Sequence, residues 1–220
     1  MIDMEITKIY PPCWFAKMNN PILQLVICGT DLANAHVDIM GKPKLSYEII
    51  SNTNHCVVLN VDTSDVKSNT SYCLQLRRNS ETATEKYMFF PRRNKMIDTL
   101  SMKDAIYLLM PDRFAITNNE HCLKRNVIDK SNPDCWHGGT LEGMMARVGD
   151  IADMGFTAIW HTPVFENKQK VTNDTKYYSY HGYAITDFYE IDPHLGNLSN
   201  YSNFVDAAHK KGLKVIMDMV

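Results

Sequence analysis

The residues able to do chemistry are concentrated late in the chain. Tyr177, Tyr178, Tyr180, His181 and Tyr183 crowd one stretch, and Asp218 follows the apolar run Val215, Ile216 and Met217. An acid at the far end of a buried strand stands where α/β enzymes gather functional side chains. Asp112 and Arg113 follow a similar run at 105–110 and read as a structural ion pair or loop anchor. Asp187 and Asp192 read as turn-formers rather than as an acid and a base. Nucleotide chemistry has no footing, because the chain carries neither GxGxxG nor GxxxxGK[ST]. The cysteines at 13, 28, 56, 73, 122 and 135 show no CxxC pairing and no metal-ligand spacing, and read as free thiols of a reducing compartment.

These residues need elements to position them. Tyr201, Phe204, Val205 and Ala208 fall on one helical face. Asn197 or Ser199 can cap its start, Lys210 and Lys211 suit its last turn, and Gly212 suits its end. The run 215–217 lacks alternation, which predicts a strand covered on both faces of a parallel sheet. The same grammar occurs upstream. Leu141, Met144, Met145, Val148, Ile151 and Ala152 form one helical stripe ended by Gly155, with strands at 105–110 and 156–160 on either side. Strand, helix, strand, helix, strand predicts right-handed βαβ units on a parallel sheet. Periodicity alone leaves a closed barrel and an open doubly wound sheet both possible. The connection at 161–198 far exceeds the usual ~2–6 residues and leans towards the barrel, whose enzymes build their sites on long loops of this kind.

Residues 1–95 have a different character. Short β-rich runs at 22–27, 36–40, 45–50, 56–61, 72–76 and 87–90 alternate with turn signals. Six runs so spaced predict an immunoglobulin-like β-sandwich, a fold of roughly seven strands. The polar stretch 91–95 reads as a linker, so the expected domains are 1–95 and 96–220. A net charge of −2 over 220 residues leaves no electrostatic footprint for nucleic acid or membrane. No apolar run approaches the ~18 residues of a membrane span. The first residues lack a basic and then apolar leader pattern, which predicts a cytoplasmic protein.

Five segments, in order, resemble the alpha-amylase family of glycoside hydrolases, in particular its neopullulanase, cyclomaltodextrinase and maltogenic amylase branch. They are YLLMPDRF at 107–114, GFTAIW with TPVFEN at 155–167, YHGY with TDFY and DP at 180–193, GLKVIMDMV at 212–220, and the N-terminal stretch with Trp14 and NPILQL at 20–25. The resemblance implies an immunoglobulin-like N-terminal domain followed by the first part of a (β/α)8 barrel, truncated after its third strand, since a whole barrel takes about 250 residues.

The resemblance also implies a retaining hydrolysis of α-glucans such as maltooligosaccharides, cyclodextrins or pullulan. That chemistry uses two carboxyl groups ~5–5.5 Å apart. In the family they follow the segment that ends here, so no catalytic residue maps onto this chain, and the 220 residues alone are expected to be inactive. Tyr183 matches the tyrosine that stacks on sugar, with a buried core tyrosine as the plainer alternative. His181 matches the YHGY histidine, or simply ties the loop down, and Tyr180 adds a sugar platform or belongs to a solvent-facing aromatic loop. Asp218 matches an aspartate that supports the active site. Calcium is not expected. Ile116, Asn118, Cys122 and Thr140 stand where the branch carries its ligands, Glu120 and Asp129 are poor substitutes, and calcium wants several anionic oxygens. A homodimer through the N-terminal domain is implied by resemblance only. The alternatives are a non-catalytic glycan-binding or interaction protein on the same scaffold, and a transglycosylase of the same family.

Overall fold

A computed structural model describes residues 4–92, 99–117, 128–168 and 178–220. The chain divides into two compact units, Met1–Lys95 and Met96–Val220.

In the first unit apolar residues alternate with polar ones, so each strand has one inward face. Eight strands result: β1 (Glu5–Tyr10), β2 (Trp14–Phe15), β3 (Ile22–Thr30), β4 (His36–Met40), β5 (Tyr47–Asn52), β6 (Cys56–Asp62), β7 (Thr70–Arg78) and β8 (Glu81–Phe90). They form two four-stranded sheets, β1-β3-β6-β5 and β2-β8-β7-β4. These are the A-B-E-D and G-F-C orders of the immunoglobulin sandwich, with short β2 added in parallel beside β8. Leu23, Leu25, Ile27, Val57 and Leu59 of one sheet share a core with Val37, Leu74, Leu76, Tyr87 and Phe89 of the other. The sequence reading misses β1 and β2. The first has a register shift between Ile6 and Lys8 that breaks its alternation, and the second has two residues.

The second unit contains β9 (Ile106–Leu109), α1 (Pro111–Phe114), α2 (Leu141–Ala146), α3 (Val148–Asp153), β10 (Ala158–His161), β11 (Phe165–Asn167), β12 (Ile185–Ile191), α4 (Leu198–Lys210) and β13 (Lys214–Met217). Parallel strands run β9-β10-β13, and Ala158–His161 pairs residue for residue with both Ile106–Leu109 and Lys214–Met217. Asn197 caps α4 through a reciprocal box with Asn200, and Gly212 takes the left-handed φ of +75° after it.

Two expectations are corrected. The single stripe at 141–152 is two helices, because Arg147 leaves helical geometry (φ −106°, ψ 3°) and its N–H turns back to Met144 and Met145 carbonyls. Among the described residues the parallel strands are covered chiefly on one face, although Ala158 on the other is also buried. Leu109 and Ile159 are buried with α2, α3 and α4 residues, while Leu108 and Trp160, which the pleat sends to the other side, are 62% and 38% exposed. The long connection after β10 holds the antiparallel β11–β12 pair.

Candidate functional site

The site is assembled at the C-terminal ends of the parallel strands. Asp218 follows β13 directly and extends its pairing, its N–H reaching the His161 carbonyl at 3.3 Å. Its carboxylate accepts a hydrogen bond of 2.7 Å from the Tyr183 hydroxyl, although the two lie 35 residues apart. That bond, more than burial, raises the Tyr183 phenol pKa. The Tyr183 ring is 45% exposed, so the alternative of a buried core tyrosine is set aside.

Tyr183 is oriented from behind. Its backbone N–H donates to His181 Nδ1 at 2.9 Å, and the two rings lie nearly parallel with centroids 5.8 Å apart. An Nδ1 that accepts belongs to a neutral ring, in keeping with a pKa lowered by desolvation. His181 therefore ties the turn and backs the Tyr183 ring at once. Gly182, at φ +89°, lies where a Cβ would come within 2.1 Å of the Pro163 carbonyl oxygen, so only glycine fits between the tyrosine turn and the segment joining β10 to β11.

Tyr180 does not belong to a solvent-facing loop. The Arg113 guanidinium sits 3.8 Å above its ring centre, and Tyr178 and Tyr180 both pack on the second core. Arg113 also donates to the carbonyls of Pro133 (2.6 Å) and Cys135 (3.0 Å) and pairs with Asp112. Asp112 is 2% exposed, and its carboxylate accepts from the His137 and Gly138 amides at 2.9–3.0 Å. The expected anchor is thus present, and it fastens the tyrosine turn to the end of β9. Asp192, fully buried, accepts from the His194 amide (2.8 Å) and the Asn167 amide (3.2 Å), and Asp187 accepts from the Tyr189 amide (2.9 Å). Asp192 is a turn-former as expected, whereas Asp187 is not, because it lies within β12 and pairs with Glu166.

Sequence reasoning missed His161 and Asn167. His161 is fully buried; its Nδ1 lies 2.8 Å from the Thr162 carbonyl and its Nε2 3.1 Å from the Tyr201 hydroxyl. Burial lowers its pKa and pushes that of Tyr201 up to about 12, so a neutral pair supports the strand end that carries Asp218. The available signal was position, since His161 immediately follows the 156–160 run. Asn167 closes the other side, its Oδ1 accepting the Ala184 amide at 2.8 Å.

Asn118, Glu120, Cys122 and Tyr177 lie outside the described residues. Thr140 accepts the Gly143 amide at 3.0 Å and caps α2, and Asp129 accepts from the Ser131 amide and hydroxyl in a local turn. Among the described residues no group of three or more His, Cys, Asp or Glu side chains could hold a metal ion.

Two protein families match the chain: "Alpha amylase, catalytic domain" over residues 108–220, and "Cyclomaltodextrinase, N-terminal" over residues 8–93. Similar proteins include the beta/alpha-amylase of Paenibacillus polymyxa, 38% identical over 122 residues, which are 54% of this chain and 9% of that protein. Alpha-amylase 2 of Schwanniomyces occidentalis is 36% identical over 53% of this chain and 22% of its own length. The cyclomaltodextrin glucanotransferase of Geobacillus stearothermophilus is 38% identical over 52% and 17%. The solved alpha-amylase of Geobacillus thermoleovorans, complexed with acarbose, aligns at 40% identity over 53% of this chain and 22% of its own, with a TM-score of 0.44. The chain thus spans less than a quarter of each of these relatives.

Proposed function

The chain belongs to the alpha-amylase family, and from that premise we propose that it supplies the sugar-binding floor of a retaining α-glucan hydrolase acting on maltooligosaccharides, cyclodextrins or pullulan, in the neopullulanase and cyclomaltodextrinase branch. The observation that carries this reading is the Tyr183–Asp218 hydrogen bond, which holds a half-exposed aromatic ring at the C-terminal strand ends. A flat ring fixed in place loses little freedom on stacking against a sugar, which favours binding. Tyr183 is the stacking residue, His181 and Tyr180 complete the subsite and set its angle, and Asp218 holds Tyr183.

In this reading the 220 residues bind without cleaving. Asp218 is engaged by Tyr183, while Asp112 and Asp192 are buried against backbone amides. The N-terminal sandwich matches the cyclomaltodextrinase N-terminal domain, and in this reading it is also the surface of a homodimer.

The test is calorimetric titration of the full chain with maltoheptaose and β-cyclodextrin, alongside an assay of released reducing sugar and of transfer products. Binding that weakens about tenfold in Tyr183→Ala, a loss of ~1.4 kcal/mol, with no products formed, is expected. Absence of binding to either sugar would overturn the subsite. Hydrolytic turnover would overturn the inactivity, and transfer products would identify a transglycosylase instead.

A further inference from the structure

Cys28 and Cys56 face each other across β3 and β6. They are direct partners in the antiparallel register. The neighbouring pair fixes which kind of partner they are. The Gly29 amide donates to the His55 carbonyl at 3.0 Å, so Gly29 and His55 form a hydrogen-bonded pair and Cys28 and Cys56, one step along, a non-hydrogen-bonded one. Such pairs bring Cα atoms to ~4.5 Å, within the ~4.4–6.8 Å that a disulfide spans. Both side chains lie on the outer face, because Ile27 and Val57 beside them point into the core.

The surroundings leave both thiols within reach of a reagent. The two cysteines are free and partly exposed. Lys8 is the register partner of Cys28 on its other side, so Lys8, Cys28 and Cys56 lie in one row across three strands, with the Lys8 ammonium over the Tyr10 ring 5.9 Å from its centre. Burial and the neighbouring Cys56 raise the Cys28 pKa, and Lys8 works against that rise. The Thr53 hydroxyl lies 3.4 Å from the Cys56 sulfur. A cleft of about 290 Å3, lined by Thr30, Asp31, Asn54 and His55, opens at the same end of the sheet.

We propose that Cys28 and Cys56 are a modification site that takes a reversible cross-strand disulfide from a small-molecule disulfide such as oxidised glutathione. One deprotonated thiol attacks a sulfur of the oxidant, and a first glutathione thiolate leaves. The other deprotonated thiol then attacks the protein sulfur of the mixed disulfide, forming the Cys28–Cys56 bond and releasing the second glutathione. Two electrons pass to the oxidant, and the two thiol protons end on the two released thiolates. The bond closes a loop containing β4 and β5, so oxidation joins the two inner strands of one sheet and ties off the edge strand β5 of that sheet and β4 of the other between them.

The full chain is equilibrated in graded mixtures of reduced and oxidised glutathione, quenched, alkylated with N-ethylmaleimide and mapped by peptide mass. The expected result is one cross-linked peptide pair joining Cys28 to Cys56, rising over a single range of redox poise and reversed by excess reduced glutathione. Cys28→Ser and Cys56→Ser should each abolish it, leaving the remaining cysteine as a glutathione adduct. Full alkylation of Cys28 and Cys56 at every poise, in a chain whose circular dichroism is unchanged, would overturn the proposal, as would cross-links to other cysteines or between chains. Should a serine variant fail to fold, the mapping of the unsubstituted chain decides.

Discussion

The sandwich covers itself and the parallel sheet does not. In the first unit, two sheets bury one face each against the other, and the largest buried side chains, Tyr72, Tyr87 and Phe89, sit between them. In the second, helices cover one face of β9-β10-β13 and leave Leu108 and Trp160 exposed on the other. The difference shows where function can be placed. A sheet that buries one face against its partner sheet offers its edges and its outer surface, and here the outer surface carries the Cys28–Cys56 row. A parallel sheet gathers its strand ends, and here those carry Asp218, Tyr183 and the buried supports behind them.

If each unit has its own core, core truncations should register locally. Phe204→Ala, which empties a fully buried site on α4, should cost ~3–5 kcal/mol, and Leu59→Ala in the sandwich ~2–5 kcal/mol. Hydrogen exchange read by mass spectrometry should then show faster exchange in residues 99–220 for the first and in 4–92 for the second. Loosening of both units by either substitution would break the comparison.

Acid should separate the units next. Asp104 ties the N-terminal ends of the parallel strands together. It pairs with Lys214 Nζ at 3.0 Å, and it accepts the Thr157 hydroxyl at 2.9 Å and the Ser101 amide at 2.6 Å. Lys214 first, then these donors, hold its carboxyl well below the usual range. A carboxyl lowered in the folded state stabilises it above the ordinary value of about 3.9, and that contribution is lost as pH falls from there through the folded value. Asp104→Asn should therefore flatten the acid limb of stability in residues 99–220 and leave the sandwich unaltered, since there Arg78 holds Asp31 low by a separate pair. An unchanged acid limb in the second unit would rule Asp104 out as its source.

The smallest effect belongs to the site. Asp218→Asn weakens the hydrogen bond, and removes the charge, that raise the Tyr183 phenol, so that phenol should titrate nearer the ordinary ~10 while the other tyrosines hold their values. Carbon-labelled tyrosine NMR, with Tyr183→Phe to assign the signal, reads this directly. No movement would mean that Asp218 does not hold Tyr183 in solution.

Much of this was legible in the residues. Alternation marks β3, β6 and β7 because their inner faces are strictly apolar, and Gly155 and Gly212 mark chain reversals because both take positive φ. Asp218 was legible as a strand-end acid. The strand β12 was not, since its outer residues Phe188 and Tyr189 are about half exposed and the run follows neither period. Nor were the clamps. Arg113 over Tyr180, and His161 against Tyr201, join residues 67 and 40 positions apart, and no local pattern encodes such meetings. The coverage of chiefly one sheet face escaped for a similar reason: an unbroken apolar run says that a strand is able to be buried, and other elements decide whether it is.

The unbroken register of β10 turns the position of the site into a matter of counting. Ala158–His161 matches both neighbouring strands one for one. Side chains alternate with a period of two, so a one-residue slip of β10 would exchange Trp160 and His161 between the faces. His161 would lose Tyr201, the indole would be driven in among the helices, and Asp218 would no longer find the carbonyl it rests on. No intermediate placement exists. Inserting or deleting a single residue in this strand is an all-or-nothing event, whereas a change of two keeps every side chain on its own face and merely moves the catch along. The molecule here carries whole-number information, and drift in sequence can spoil it only in steps.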